Sequence, residues 1–418
     1  MREQRRTEIT PPLLGVDAYL ANVLDQVGPL PPIGLSLLDA SGCVLAADIQ
    51  AAHPLPSFDN SSMDGYAVIA ADVAQATRQR PVRLRVVDDV PAGFVATESV
   101  QPGTAVRIMT GAPVPDGADA VVQVERTDGG ERVVAIVEPV PPGANIRRLG
   151  EDVLSGEVVL RAGTLLTERQ IALLAALGHD SVLVHPRPRV VVMSTGSELV
   201  EPGGELRRGL IHDSNSFLLV AATLGAGAIA YRLPPLIDDE ELVLTTLQDQ
   251  LHRADLVLTT GGVSMGAYDP VKAALKSLGT FTFTKVAMNP GMPQGFGVLQ
   301  DGSPGGLPVL TLPGNPVSAF VSFEAFARPL IRTLQGRSQI FRPEVRALAA
   351  VDFRSPPGKR QFARGRFTSQ SPLAVEPVGG QGSHVLGGLA LAECLIVVPE
   401  DVTEVAAGSP VTVWDLRS

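Results

Sequence analysis

The chain has 418 residues, of which 45% are hydrophobic and 19% are charged, and its formal net charge is −10. This length exceeds one hydrophobic core and predicts a globular protein of roughly two to four domains. The acidic balance argues against a nucleic-acid or membrane surface, and two distant cysteines, Cys43 and Cys394, argue for a reducing, cytoplasmic compartment without a disulfide framework.

The first half of the chain predicts a β-rich domain inserted into a helical one. Apolar residues have helical spacing over 17–27 and again over 167–177, where Thr167 and Gln170 form a candidate capping box. Between them the sequence is rich in short β-branched runs separated by glycine and proline, and the strand candidates are 82–87, 104–108, 120–124 and 132–140. We therefore predict an elongated helical N-terminal domain (1–50 and 150–187) with an inserted β-rich domain (51–149).

The second half predicts an α/β domain over 188–338 and a β-barrel-like domain over 339–418. Continuous apolar strand candidates alternate with helices, which predicts a parallel sheet covered on both faces. The strand candidates are 190–194, 226–232, 255–259, 281–286 and 308–312, and the helix candidates are 215–224, 238–253 and 270–278. The fold class is therefore a multidomain protein that combines α/β and β domains.

The stretch 59–66 reads Asp-Asn-Ser-Ser-Met-Asp-Gly-Tyr and is the most informative stretch of the chain, because it places two carboxylates, an amide, two hydroxyls and a glycine together. Its two carboxylates, Asp59 and Asp64, suit a loop that holds a cation or orients an oxyanion. An Asx-rich turn that satisfies its own backbone is the alternative.

Three of the predicted parallel strands are followed by loops rich in glycine and hydroxyl residues, at 194–198, 259–266 and 313–318. Because ligands of open parallel sheets lie beyond the carboxyl ends of the strands, these loops predict a site for a phosphate-bearing ligand. The chain has neither a Walker A sequence nor a dinucleotide-binding fingerprint.

Charged side chains accompany these loops. Asp269 could reach Mg²⁺ on a phosphate, whereas Asp238 and Asp239 could either join it or simply open the helix that follows. Basic residues at 147–148, Lys285 and several positions of the C-terminal region could serve one anion-binding cleft, although each alone could be an ordinary solvated side chain.

Seven stretches together resemble the molybdopterin molybdenumtransferase family, also called the MoeA/gephyrin E-domain family. They run in order along nearly the whole chain: 59–67, 107–115, 145–152, 194–196, 261–264, 312–318 and 381–384.

The resemblance implies that molybdate is inserted into adenylylated molybdopterin, with Mg²⁺-dependent release of AMP and formation of molybdenum cofactor. It also implies a molybdopterin-binding type of α/β domain and a homodimer, in which the loop at 59–66 of one subunit faces the α/β domain of the other. Molybdopterin adenylyltransferase and molybdoenzyme acceptors or chaperones are the implied partners.

The resemblance also assigns roles to individual residues. The implied catalytic residues are Asp64, Thr110, Arg147, Asp152, Glu198 and Lys285. The implied metal ligands are Asp238 and Asp269. The implied residues that bind the pterin, nucleotide or molybdate are Ser194, Gly196, Gly261, Gly262, Ser264, Pro290, Pro313, Gly314, Asn315, Pro316, Ser318, Arg364 and Ser383.

Three positions depart from the family pattern. The family often reads Lys-Pro-Gly-Lys-Pro where this chain has Asn289 and Met292 in place of the lysines, and it commonly has an acidic residue where this chain has Ser197. The alternatives are a molybdopterin adenylyltransferase, which shares the α/β domain but is typically a single domain, and a gephyrin-like scaffold without catalysis. We expect ATP consumption without molybdate in the first case, and function that survives substitution of Asp64 and Asp238 in the second.

Overall fold

The computed structural model describes residues 13–261, 270–277, 281–300 and 305–417. The N-terminal part, 13–50, forms one helix and three short strands: α1 (Val16–Leu24), β1 (Ile33–Ser36), β2 (Val44–Leu45) and β3 (Ile49–Gln50). None of the helices in the described ranges combines the length and apolar character needed to cross a bilayer.

Residues 51–149 form the predicted β-rich unit. Its strands are β4 (Asn60–Ser61), β5 (Gly65–Val68), β6 (Val82–Val90), β7 (Thr104–Ile108), β8 (Ala120–Gln123), β9 (Val133–Ile136) and β10 (Ile146–Arg147). Strands β5 to β9 make one sheet in the order β8-β5-β7-β6-β9, and β4 pairs with β10 outside it. The predicted strand over 132–140 is shorter than expected and ends at Ile136.

The chain then returns to the N-terminal part through β11 (Val158–Leu160), α2 (Glu168–Ala176) and β12 (Ser181–His185). Strand β12 pairs with β1 and β2, and β11 pairs with β3. The two chain segments that flank the β-rich unit are therefore joined to each other by strand pairing. The capping box of Thr167 and Gln170 is confirmed at the start of α2. The domain limits themselves stay a prediction.

Both helices predicted for this N-terminal unit are present, but the unit also contains strand pairs that the sequence did not predict. Short strand pairs and the nine-residue α2 build its core around Leu45, Leu166 and Val184. The predicted helix α1 exists but packs elsewhere, because its apolar face (Tyr19 and Val23) joins the core of the α/β unit.

The α/β unit contains nine strands and five helices in the described ranges. They are β13 (Arg189–Ser194), β14 (Leu199–Val200), β15 (Ile211–His212), α3 (Asn215–Gly225), β16 (Ile229–Arg232), α4 (Glu240–Gln250), β17 (Leu256–Thr260), α5 (Pro270–Ser277), β18 (Thr282–Lys285), β19 (Met288–Asn289), β20 (Pro293–Leu299), β21 (Leu307–Leu312), α6 (Pro316–Ser322) and α7 (Arg328–Leu334). A π-helical turn (Phe323–Ala327) joins α6 to α7.

The central sheet has the order β16-β13-β17-β21-β20-β18, with helices on both faces. Strands β16, β13, β17 and β21 are parallel, as predicted. The sheet is mixed rather than wholly parallel, because β20, which the sequence did not predict, runs antiparallel between β21 and β18. Strand β16 starts three residues later than predicted, after Gly227 turns the chain with a φ of 92°.

The C-terminal unit is a closed five-stranded barrel. Its elements are β22 (Glu344–Ala349), β23 (Phe353–Arg354), β24 (Arg360–Gln370), β25 (Leu373–Pro377), α8 (Leu386–Ala390), β26 (Cys394–Val398), β27 (Glu404–Val405) and β28 (Pro410–Asp415). The barrel closes because β24 pairs with both β25 and β26 in the circuit β24-β25-β22-β28-β26. The predicted barrel-like C-terminal domain is confirmed.

Three contacts tie the barrel and α1 to the α/β unit. Strand β19 pairs with β24, so the segment after β18 forms part of the barrel edge. Arg360 donates to both carboxylate oxygens of Asp17 on α1, at 2.7 and 2.8 Å. The backbone N–H of Leu14 donates to the carbonyl of Lys285 at 3.0 Å.

Candidate functional site

Asp64 lies at the surface between β4 and β5. Its Oδ1 accepts hydrogen bonds from the backbone N–H and the hydroxyl of Thr110, at 2.7 and 2.8 Å. These two hydrogen bonds hold the pKa of Asp64 below its ordinary value. Asp64 is therefore an ionised, solvent-facing carboxylate at neutral pH, with its orientation fixed by Thr110.

The glycine that follows Asp64 lets two strands approach closely. A Cβ at Gly65 would lie 1.9 Å from the carbonyl oxygen of Val122 on the neighbouring strand β8. Because no side chain fits there, a glycine is needed for the loop at 59–66 to sit directly on the sheet.

Arg147 and Asp152 lie on segments that adjoin the same loop. In the β4–β10 pair Arg147 is opposite Asn60, and the N–H of Asp152 donates to the carbonyl of Leu55 at 3.0 Å. Asp59 accepts from the N–H of Leu149 at 2.7 Å and from Arg148 at 2.6 Å, and both hydrogen bonds lower its pKa. We call Asp64, Thr110, Arg147 and Asp152 the acidic-loop cluster.

The strand-end loops meet at the carboxyl edge of the central sheet, as predicted. The N–H of Thr195 donates to the carbonyl of Thr260 at 3.0 Å. A Cβ at Gly261 would lie 2.4 Å from the carbonyl oxygen of Thr195, and one at Gly314 would lie 3.6 Å from the Cα of Gly261. These loops, with the residues that join them, are called the strand-end cluster.

Asn215, at the start of α3, joins two of these loops. Its Nδ2 donates to the hydroxyl of Thr260 at 3.0 Å and to the carbonyl of Gly314 at 2.6 Å. The hydroxyl of Thr260 in turn donates to the carbonyl of Pro313 at 3.1 Å. The sequence did not predict Asn215 as a site residue, since an asparagine at a helix start reads as a local cap.

A buried carboxylate supports the first loop. Asp213 is 1% exposed and accepts hydrogen bonds from the hydroxyls of Ser194 and Ser216, at 3.0 and 2.6 Å. Ser194 is also 1% exposed, so its hydroxyl orients the loop from within. Its predicted role in binding a cofactor stays a prediction, and Asp213 was missed.

Two of the predicted carboxylates flank the loop at 194–198. A Cβ at Gly196 would lie 2.7 Å from the Glu198 carboxylate, which therefore covers this glycine. Oδ2 of Asp238 accepts from the N–H of Ser197 at 3.1 Å. The residue that caps α4 is Asp239, which accepts from the N–H of Leu242 at 2.8 Å, so Asp238 is left to face the loop.

Glu198 and Asp238 are carboxylates, the hard oxygen ligands that a magnesium ion takes. Mg²⁺ is usually held by one or two carboxylates together with substrate phosphates and water. Within the described residues there is no cluster of three or more histidine, cysteine, aspartate or glutamate side chains that could hold a metal by itself. The predicted site residues Gly262, Ser264 and Asp269 lie outside the described residues.

The C-terminal barrel reaches the third loop through Ser383. The amide of Asn315 donates to the Ser383 hydroxyl at 3.1 Å, and the N–H of Val317 donates to the Ser383 carbonyl at 3.2 Å. Pro316 opens α6, and Ser318 in its first turn is 5% exposed.

Arg364 supports the loop that carries Ser383. It is 1% exposed, and its guanidinium donates to the carbonyls of Gly382, at 3.1 Å, and of Gly380. Burial lowers its pKa. The structure therefore places Arg364 behind the loop, where it fixes the backbone, and its predicted contact with an anion stays a prediction.

Lys285 ends β18, half-buried, opposite Pro293 on β20. The segment after it carries the buried Pro290 and the half-buried Asn289, and it leads directly into the pairing with the barrel. No ion pair joins Lys285 to a carboxylate in the described part of the chain, and its predicted role at an anion stays a prediction.

Replacement of Asn215 by alanine tests how much the loop geometry depends on this side chain. We expect kcat/KM for the reaction at this site to fall by about tenfold, because the loops lose their shared donor and the carbonyl of Gly314 loses its partner. Asn22→Ala on the exposed face of α1 is the control and should leave kcat/KM unchanged. Equal kinetics for both variants would show that Asn215 does not position the loops.

Three family models match the chain in order. The first, described as the MoeA N-terminal region (domain I and II), matches residues 14–178. The second, a probable molybdopterin binding domain, matches residues 191–333. The third, the MoeA C-terminal region (domain IV), matches residues 346–416.

Whole proteins of known kind are similar over nearly their full length. Molybdopterin molybdenumtransferase 2 of Mycobacterium tuberculosis (strain CDC 1551 / Oshkosh) is 48% identical over 391 residues, which cover 92% of this chain and 95% of that protein. Molybdopterin molybdenumtransferase of Haemophilus influenzae is 39% identical over 408 residues, which cover 96% of this chain and 98% of that protein. A crystal structure of the molybdopterin biosynthesis moeA protein from Pyrococcus horikoshii OT3 superposes with a TM-score of 0.77 at 31% identity, covering 96% of this chain and 99% of that one.

Proposed function

The chain belongs to the molybdopterin molybdenumtransferase family, and we propose that it inserts molybdate into adenylylated molybdopterin with release of AMP. The enzyme is a transferase of molybdenum cofactor biosynthesis. As further parts of the proposal, it acts in the cytoplasm, receives its substrate from a molybdopterin adenylyltransferase, and passes its product to molybdoenzymes or their chaperones.

One observation carries this proposal. Three glycine-containing loops contact one another at the carboxyl edge of the central sheet, joined by Asn215, while Ser383 of the barrel closes one side. Backbone N–H groups and helix starts at such an edge suit phosphate groups, and the substrate has a phosphoanhydride between the pterin and the nucleotide.

Individual side chains of the two clusters have different roles in the proposed reaction. Mg²⁺, held by Glu198 and Asp238 together with the substrate phosphates, would supply a Lewis acid for release of AMP. Lys285 is the cation that this chain offers to molybdate, a hard oxyanion. Asp64, fixed by Thr110, would orient a donor group of the substrate or a water molecule, since an ionised carboxylate can only accept hydrogen bonds.

We propose that the complete site forms between two copies of the chain, with the acidic-loop cluster of one copy facing the strand-end cluster of the other. Large apolar side chains near the acidic loop support this arrangement. Phe58, Met63, Leu149 and Leu154 are between 40 and 63% exposed around it. Apolar side chains clustered at the surface favour a protein contact.

Incubation of the purified protein with adenylylated molybdopterin, Mg²⁺ and molybdate tests the function. We expect stoichiometric AMP release that requires Mg²⁺, together with active cofactor, measured by reconstitution of an apo-molybdoenzyme. If ATP were consumed in the absence of molybdate, the chain would instead be an adenylyltransferase.

Asn289, where the family often has lysine, lies beside the proposed molybdate site. We expect Asn289→Lys to tighten molybdate binding by about fivefold, the effect of one added unit charge near an anion in a solvated site. Isothermal titration with molybdate measures this, with Asn289→Gln as the uncharged control. An unchanged affinity would show that the missing lysine charge at position 289 does not limit molybdate binding.

A further inference from the structure

A cavity lined by none of the loops described above lies where three parts of the molecule meet. It has a volume of about 340 Å³ and is lined by Gly163 and Leu165 of the N-terminal unit, by α7, and by the connection from α7 to the barrel. This volume is at the lower end of the range for small-molecule sites, roughly 300–1,000 Å³. None of its nine lining residues is acidic.

Three of the lining residues are arginines: Arg332, Arg337 and Arg342. The positive charge of Arg342 is balanced within the protein, because its Nε donates to the Glu324 carboxylate at 2.6 Å. Its Nη1 donates to the carbonyl of Asp415 at 3.0 Å. Glu324 also holds Arg328 at 2.6 Å, so this single buried carboxylate already serves two guanidinium groups.

Arg332 and Arg337 have no such partner. The Nε atoms of both are buried without a hydrogen-bond acceptor, and no carboxylate among the described residues forms an ion pair with either. Arg332 does donate through Nη1 to the carbonyl of Phe341 at 2.9 Å, which fixes its guanidinium at the cavity wall.

The positive charge of this region exceeds what the protein supplies to balance it. Burial, and then the neighbouring Arg328, Arg337 and Arg342, lower the pKa of Arg332 to about 10. Burial, and then Arg328, also lower the pKa of Arg337. Guanidinium groups of this kind bind phosphate through paired N–H donors, and an anion in the cavity would relieve their mutual repulsion.

We propose that this junction cavity is a binding site for a phosphate group, held by Arg332 and Arg337 and separate from the site of molybdenum insertion. Ser338 and Gln339 line the same cavity and offer a hydroxyl and an amide to the remaining phosphate oxygens. Phe341, half exposed, and Leu165 provide an apolar wall for an organic group attached to the phosphate. A ligand bound here would contact both the N-terminal unit and the connection to the barrel.

Isothermal titration of the full chain with inorganic phosphate, at constant ionic strength in a phosphate-free buffer, tests the proposal. We expect saturable binding that weakens by about tenfold or more in Arg337→Gln and in Arg332→Gln, since each change removes a charged donor. The matched control Arg354→Gln removes an arginine that is exposed on the barrel and paired with Glu404, and it should bind phosphate as the wild type does.

Two further measurements identify the ligand and distinguish this cavity from the proposed site of molybdenum insertion. If phenyl phosphate binds more tightly than inorganic phosphate, and Phe341→Ala removes this difference in affinity, the ligand is a phosphate ester. If the two affinities are equal, the ligand is the free anion. Either result supports the site. Asn215→Ala should leave phosphate binding at the cavity intact, so the result does not depend on the insertion reaction. Absence of saturable binding, or equal binding by correctly folded Arg332→Gln, Arg337→Gln and wild-type proteins, overturns the proposal.

Discussion

Asp64→Asn is expected to lower the rate of AMP release on the order of 100-fold, the usual cost of losing one group placed to orient a reacting centre. The substitution keeps the shape of the side chain but removes its negative charge. The hydrogen bonds from Thr110 can still form to the amide oxygen, so the loop should keep its conformation. The rate of AMP release under single-turnover conditions measures the effect directly.

Asp88 provides a matched control in the same β-rich unit. Its Oδ2 accepts from the N–H and the hydroxyl of Thr97, at 2.8 and 3.1 Å, the same pattern that Thr110 gives Asp64. Asp88→Asn should therefore reproduce any purely structural cost and leave the rate unchanged. Equal loss of activity in both variants would mean that Asp64 only supports its own loop.

Glu324→Gln is expected to lower the free energy of unfolding by about 3–5 kcal/mol, the typical cost of leaving buried charges without their partner. The Glu324 side chain is fully buried, and it pairs with Arg328 and Arg342, each at 2.6 Å. Burial acts to raise the pKa of Glu324, but the hydrogen bonds from the two arginines outweigh it and lower the pKa. Urea unfolding at neutral pH measures the loss.

The lowered pKa of Glu324 also determines how the stability of the protein depends on pH. A carboxyl whose pKa is lower in the folded state stabilises the protein above its unfolded-state pKa, and this contribution disappears as the pH falls through the folded-state value. The wild type should therefore lose more stability on acidification than Glu324→Gln does. As a control, Glu376→Gln breaks a more exposed pair with Arg366 and should cost less than about 1 kcal/mol. Equal losses in the two variants would contradict the account.

The order of the structural units was predictable because their periodic patterns are local. The alternation of apolar strands and helices predicted the α/β unit, and β-branched runs predicted the β-rich one. Strand β20 was not predicted because Gly295 and Gly297 weaken the strand pattern. Tertiary packing explains why these two positions are glycines. A Cβ at Gly295 would lie 2.2 Å from the Thr311 hydroxyl, and one at Gly297 would lie 2.6 Å from the Phe281 ring. Closure of the barrel depends on the long-range β24–β26 pairing, whose register a single sequence does not reveal.

The candidate site was predictable where backbone topology alone decides the position. Glycine loops at the ends of parallel strands must share an edge, and Thr195, Gly261 and Gly314 do so. Asn215 and Asp213 were missed, because polar residues before a helix read equally well as caps. The hydrogen bonds that Arg364 donates to loop carbonyls were not predictable, because the direction of a side chain is not encoded in its spacing.

The shared site between two copies is the central claim, and mixing two inactive variants tests it most directly. Asp64→Asn damages only the acidic-loop cluster, and Glu198→Gln damages only the strand-end cluster. After subunit exchange, half of the dimers should be mixed and each should hold one intact site, so the account predicts recovery of about a quarter of the wild-type rate of AMP release. A rate no higher than that of the separate variants, once exchange has been demonstrated, would contradict it.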